Sequence, residues 1–205
     1  MTRSVSPPLA RALALGLVAL LAACAKTGPA PVVEDLIDGV VTTREQVLVP
    51  LERHGDETAT RLLLVPTGEA NPDPALGPVT TASRRRAVGT ATYSMGFAPE
   101  VVLAPSDPVG TYFGNTSASL NKVSLSGYVS GLEADAMAER LRGEFAGLRV
   151  VLVGEPAWLE AVAESLAGDD VVDWPTQGDE AIVYVVAGGQ GAPAAQAFGV
   201  DTRPE

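Results

Sequence analysis

Apolar and polar positions are arranged differently in the two halves of this chain. In the first half, "EQVLVPLER" and "ATRLLLVP" are leucine- and valine-rich runs separated by the polar "HGDET". That order predicts a hairpin of two strands. Residues 66–83, "PTGEANPDPALGPVTTAS", then hold four prolines and two glycines, a length without periodicity that points to a functional or mobile loop. "RRRAVGTATYSM" alternates with period two. Ala87, Gly89, Ala91, Tyr93 and Met95 fall on one side, and Val88, Thr90, Thr92 and Ser94 on the other, which predicts a strand. "PEVVLAP" predicts a further short strand and "SDPVGTYFGNT" a loop. The first half therefore reads as β-rich with small residues in its core.

The second half is more sharply patterned. "NKVSLSGYVS" alternates, with Val123, Leu125 and Val129 facing one way. Ser130 and Glu133 then have the spacing of a capping box. The helix it predicts carries Ala134, Met137, Leu141 and Phe145 on one face, at steps of three and four. "LRVVLV" predicts a strand. A second helix follows Pro156 with Trp158, Val162 and Leu166 on one face, and "DDVVDW" and "EAIVYVVAG" predict strands, the last apolar enough to be central. The expected class is α+β: a β-rich N-terminal half followed by a small two-layer α/β unit with the order strand–helix–strand–helix–strand–strand. The expected boundaries are a leader at 1–23, a tether at 24–43, a β-rich region at 44–116, an α/β domain at 117–187 and a disordered tail at 188–205.

Charge changes the picture at the N-terminus. The first 23 residues hold Arg3 and Arg11 and no acid, and residues 12–23 are uncharged and apolar. That run falls short of the roughly 20 residues a membrane-spanning helix needs, so it predicts a cleavable export signal. The residues that close it, Leu21-Ala22-Ala23-Cys24, include the one cysteine of the chain and resemble the lipobox of bacterial lipoproteins. The resemblance implies that Cys24 is lipidated after cleavage before it, and that the chain is anchored in a membrane. With Ala25 following, it implies the outer membrane, facing the periplasm. The remainder keeps 12 basic residues against 25 acidic ones, a formal net charge of −13, which argues against nucleic acid as a partner.

Little in the sequence points to catalysis. His54, the single histidine, is read as a loop residue of the hairpin rather than a general base oriented by Asp56 or Glu57. One histidine and an acylated Cys24 leave too few ligands for zinc, and no metal or cofactor is expected. "SLNK", Ser119 to Lys122, and "KTG" at 26–28 stand in the wrong order for a penicillin-recognising enzyme. Asp169, Asp170, Asp173, Asp179 and Glu180 are read as a solvated rim. "VVLVGEP" has a single glycine where phosphate loops have several. Arg84, Arg85 and Arg86 form the one basic cluster, a candidate contact for an anionic ligand.

Two further resemblances bear on function. "KVSLSGYVSGLEADAMAERLRGEFAGLRVVLV", residues 122–153, resembles the second half of a BON domain through Leu125, Gly127, Val129, Ala138, Gly147 and Val150. "LLLVPTGEANPD" is similar to a stretch in lipoproteins of Tad-type pilus assembly. The function expected is a non-enzymatic, membrane-anchored assembly or interaction subunit of the envelope with a protein partner. The alternative is a BON-like module that binds lipid or a small ligand.

Overall fold

A computed structural model describes residues 30–168 and 181–200. Nine strands form one sheet: β1 (Val32–Ile37), β2 (Val40–Thr43), β3 (Leu48–Pro50), β4 (Ala59–Pro66), β5 (Val101–Pro105), β6 (Ser124–Tyr128), β7 (Arg149–Gly154), β8 (Ala181–Gly188) and β9 (Ala194–Val200). Four helices accompany them among the described residues: α1 (Thr81–Phe97), α2 (Pro108–Asn121), α3 (Ala134–Gly143) and α4 (Pro156–Ala167). The spatial order is β3-β2-β1-β9-β8-β4-β7-β5-β6. The fold is of the α+β class expected from the sequence, with a large mixed sheet at its centre.

The three apolar runs meet at the middle of that sheet. β4 pairs parallel with β7, placing Leu63 opposite Val151, and antiparallel with β8, placing Leu63 opposite Tyr184. Side chains alternate across a strand, so Leu62 and Leu64 enter one core while Leu63 and Val65 enter the other. All four are buried, and each such burial contributes about 1.5–3 kcal/mol. Helices α1 and α2 cover the first face through Ala87, Phe97, Phe113 and Ala118. Helices α3 and α4 cover the second through Met137, Leu141, Leu159 and Val162.

Several elements differ from the sequence reading, for physical reasons. Residues 81–97 form a helix where period-two alternation predicts a strand. Its buried stripe is Ser83, Arg86, Ala87, Thr90, Ala91, Ser94 and Phe97, at helical spacing but mostly small or polar, so hydrophobicity does not reveal it. The same holds for α2, whose buried Gly110, Gly114, Ser117 and Ala118 replace the expected loop. Ser119 and Lys122 accordingly lie at the end of this helix, with Lys122 as its left-handed cap. β3 pairs with β2 rather than with β4, so the expected hairpin does not form. The expected tether contains β1 and β2. The expected disordered tail contains β9, which inserts between β1 and β8.

The capping box is also replaced. α3 starts after Glu133 without a side-chain cap, and Ser130 Oγ donates instead to Asp107 Oδ2 at 3.0 Å. The loop at 66–83 is closed on itself by a bridge between Ala70 and Val79 and a short 3-10 turn at Pro74–Leu76. The strand expected from "DDVVDW" lies outside the described residues.

Candidate functional site

The parallel strands β4, β7, β5 and β6 end level with one another. Pro66 is in register with Gly154, and Pro105 with Tyr128. From β4 and β5 the chain leaves for α1 and α2 on one face; from β7, between them, it leaves for α4 on the other. Adjacent strands whose connections depart to opposite faces open a crevice at their carboxyl ends, where open α/β sheets bind ligands. Thr67 and Glu155, the residues that follow β4 and β7, flank it.

The floor of the crevice is tightly built. Thr67 N–H donates to the Gly154 carbonyl at 2.7 Å. Ser83 Oγ accepts from Glu69 N–H at 2.8 Å and donates to the Glu69 carbonyl at 3.1 Å, which ties the loop after β4 to the first turn of α1. A Cβ at Gly68 would overlap the Ser83 side chain, so the approach depends on glycine. Arg86 reaches in from α1. It is only 6% exposed, its Nη2 donates to the Pro66 carbonyl at 2.6 Å, and its guanidinium lies 6.0 Å from the centre of the Phe113 ring.

The β5–β6 side is arranged by Asp107. Its Oδ1 accepts from Val109 and Gly110 N–H at 3.0 and 2.8 Å, capping α2. Beside it, Tyr128 donates its hydroxyl to the Val153 carbonyl at 2.6 Å. Trp158 stacks on Tyr128 with ring centres 5.1 Å apart and an interplanar angle of 18°, and its Nε1 donates to the Leu132 carbonyl at 2.6 Å. Burial first, then the Asp107 and Glu155 carboxylates, push the Tyr128 phenol well above its ordinary value. Glu155 precedes α4 without making a side-chain cap.

The residues singled out from the sequence are dispersed. Of the three arginines only Arg86 turns inward; Arg84 and Arg85 are exposed, and the Arg84 guanidinium contacts the Leu76 carbonyl. His54 lies before β4, at the end of the strand opposite the crevice. The eight residues of β4 at ~3.3 Å each put more than about 20 Å between the two. Cys24 and the acids at 169–180 lie outside the described residues. Among the described residues no group of three His, Cys, Asp or Glu is placed to hold a metal ion. Sequence reasoning missed Thr67, Glu155 and the Tyr128–Trp158 pair. The available signal was the strand-to-turn change at "VPTG" and "VGEP", legible only once the two strands are known to be neighbours.

No protein-family model matches the sequence, and no curated protein matches it. Solved structures do resemble it. A mycobacterial glucosyl-3-phosphoglycerate phosphatase superposes with a TM-score of 0.52 at 12% identity, over 70% of this chain and 100% of that one. A complex of the protein histidine phosphatase SixA with tungstate gives 0.51 at 15% identity, over 68% and 96%. A structure described as mycobacterial hydrolase 2 gives 0.52 at 12%, over 72% and 93%. The chain shares its fold with these three structures.

These likenesses correct four expectations. The chain as a whole does not resemble BON domains or Tad-type lipoproteins, and no family match supports its recognition as a lipoprotein. In the BON-like stretch β7 does not pair with β6; β5 stands between them. The non-enzymatic assembly subunit and the BON-like alternative give way to the fold of a phosphatase. The expectation of no enzymatic activity, and the descriptive terms tied to an envelope lipoprotein, fall with them.

Proposed function

We propose that the chain hydrolyses phosphate esters in the crevice at the carboxyl ends of β4 and β7. The observation that carries the reading is the switch point between these strands, in a sheet whose structural relatives are phosphatases. Arg86 supplies positive charge at the β4 end through a guanidinium held by the Pro66 carbonyl, and guanidinium groups suit phosphate oxygens.

The chain's own residues set the route. A covalent phosphohistidine requires a histidine at the phosphorus, and His54 is at the other end of β4. The groups flanking the crevice are the Thr67 hydroxyl and the Glu155 carboxylate. We assign Glu155 the role of general base: it takes a proton from a water positioned by Thr67 as the new P–O bond forms and the ester P–O bond breaks, and that proton passes to the departing alkoxide, so that alcohol and phosphate are released. Such a base contributes about 10²–10⁴ in rate. The test is phosphate release from p-nitrophenyl phosphate and a panel of sugar phosphates, with tungstate as competitor. Turnover by the wild type and a hundredfold or greater loss in Glu155→Gln are expected. A wild-type chain that neither releases phosphate nor binds tungstate would end the reading.

A further inference from the structure

The two edges of the sheet are built differently. β3, at one edge, spans three residues and includes Pro50, which has no N–H to offer a further strand. β6, at the other edge, reads Ser-Leu-Ser-Gly-Tyr and carries none of the charges, prolines or bulges that blunt exposed edges. Ser106 N–H donates to the Tyr128 carbonyl at 2.9 Å, so the main-chain groups of Tyr128, Ser126 and Ser124 point toward β5. Main-chain groups alternate sides along a strand, so those of Leu125 and Gly127 point away from β5 and have no partner among the described residues. The open ladder is closed at both ends. Val123 N–H donates to the Ala118 carbonyl, and the Val129 carbonyl accepts from Leu132 N–H, each at 3.1 Å.

The surface around this edge is poor in charge. Residues 108–132, which hold α2, β6 and the turn after it, include one charged side chain, Lys122, in a chain of net charge −11. Leu120 and Val129 within this stretch are 39% and 75% exposed. Depletion of charge around exposed apolar residues is the composition of a protein interface, and it is where two acidic copies repel each other least.

We propose that β6 pairs antiparallel with β6 of a second copy of this chain, about a twofold axis at Ser126. In that register Leu125 stands opposite Gly127 of the other copy, and the unpaired N–H and C=O groups of both are matched. Val123 stands opposite Val129, and the one bond this pair lacks is between the two groups already spent on Ala118 and Leu132. An axis at Leu125 would instead set the Gly127 carbonyl against the spent Val123 N–H. One at Gly127 would set Leu125 N–H against the spent Val129 carbonyl. The side chains agree with the Ser126 axis: Leu125 lies over a glycine, Val123 over a valine, and Ser126 over itself. Lys122 falls opposite Ser130, whose hydroxyl donates to Asp107, so the amine of each copy meets the Asp107 carboxylate of the other. The inference does not depend on the phosphate-ester reading.

The experiment is sedimentation equilibrium of the full chain and of Val129→Glu, with disulfide trapping of cysteine variants in a Cys24→Ser background. The wild type is expected to be a dimer. Val129→Glu, at an exposed position, is expected to keep the melting temperature and to weaken the dimer at least about tenfold, because it puts a carboxylate into the patch that pairing closes. Ser126→Cys faces itself across the axis at a spacing a disulfide spans and is expected to cross-link on oxidation. Ser124→Cys faces Tyr128 of the other copy and is expected not to. Should Val129→Glu fail to fold, the two cysteine variants decide alone. A monomeric wild type overturns the inference, and so does a dimer that a folded Val129→Glu leaves unchanged. Any trapping pattern other than Ser126→Cys alone overturns it too.

Discussion

His54 shows how a residue can be chemically conspicuous and still be structural. Its ring packs 5.7 Å from that of Phe97, and its Nδ1 is buried without a hydrogen-bond partner among the described residues. Its carbonyl accepts from Arg61 Nη1 at 2.9 Å, and Arg61 Nη2 reaches the Gly147 carbonyl at 2.6 Å. Burial first, then the Arg149 and Arg61 charges, hold the imidazole below its ordinary value of 6.5, with Asp38 opposing. The folded state thus binds this proton less readily than the unfolded one. The stability contribution is fully present above pH 6.5 and is lost as pH falls through the lowered folded value. We expect the melting temperature of the wild type to fall relative to His54→Gln as pH goes from 7.5 to 5. A difference between the two that stays constant over that range would show that His54 does not titrate on unfolding.

At the scale of elements, α1 joins the sheet through a close approach rather than through apolar bulk. A Cβ at Gly96 would overlap the Leu36 carbonyl of β1, whereas one at Gly89 would meet only the Val200 side chain, at 4.0 Å. Gly96→Ala must push the helix off β1 and is expected to cost about 1–3 kcal/mol or more, as overpacking does. Gly89→Ala is expected to gain about 0.5–1 kcal/mol from helix propensity. Urea midpoints of the two variants check the pair, and equal effects would contradict the packing. The same chemistry explains what was legible in the sequence. β4, β7 and β8 could be read because strands buried on both faces carry nearly continuous apolar runs, such as Leu62-Leu63-Leu64-Val65 in β4. α3 and α4 could be read because Met137, Leu141, Val162 and Leu166 keep helical spacing. α1 and α2 could not, because residues such as Ala87, Ala91, Ser94, Gly114 and Ser117 bury a face that carries no hydrophobic signal. Ala87, Gly89 and Ala91 even mimic a strand by chance. The candidate site was less legible still, since Thr67 and Glu155 are 88 positions apart and meet only through the parallel pairing of β4 with β7.

Over the whole molecule, β9 decides whether the sheet is one body. It pairs antiparallel with β8 along its length, from Ala194 opposite Val186 to Gly199 opposite Ala181. It also pairs parallel with β1, where Val32 stands opposite Gly199 and Val33 opposite Val200. The β1–β2–β3 meander reaches the rest of the sheet through this strand, and it is also held by the packing of α1 against β1, with Tyr93 Oη donating to the Val33 carbonyl at 3.2 Å, and by Tyr184 Oη donating to the Glu52 carbonyl at 2.8 Å. Removing residues 194–205 would expose the edges of β1 and β8, strip Phe198 and Val200 from the first core, and leave both edges open to pairing with other chains. The proposed site, at the ends of β4 and β7, is separated from this strand by β8, so it is lost only if the sheet unfolds as a unit. We expect the truncated chain to lose the single cooperative melting transition and tungstate binding together. Retention of tungstate binding with selective proteolysis between residues 38 and 58 would instead mean that β1–β3 is an independently melting flap on a core that holds the site.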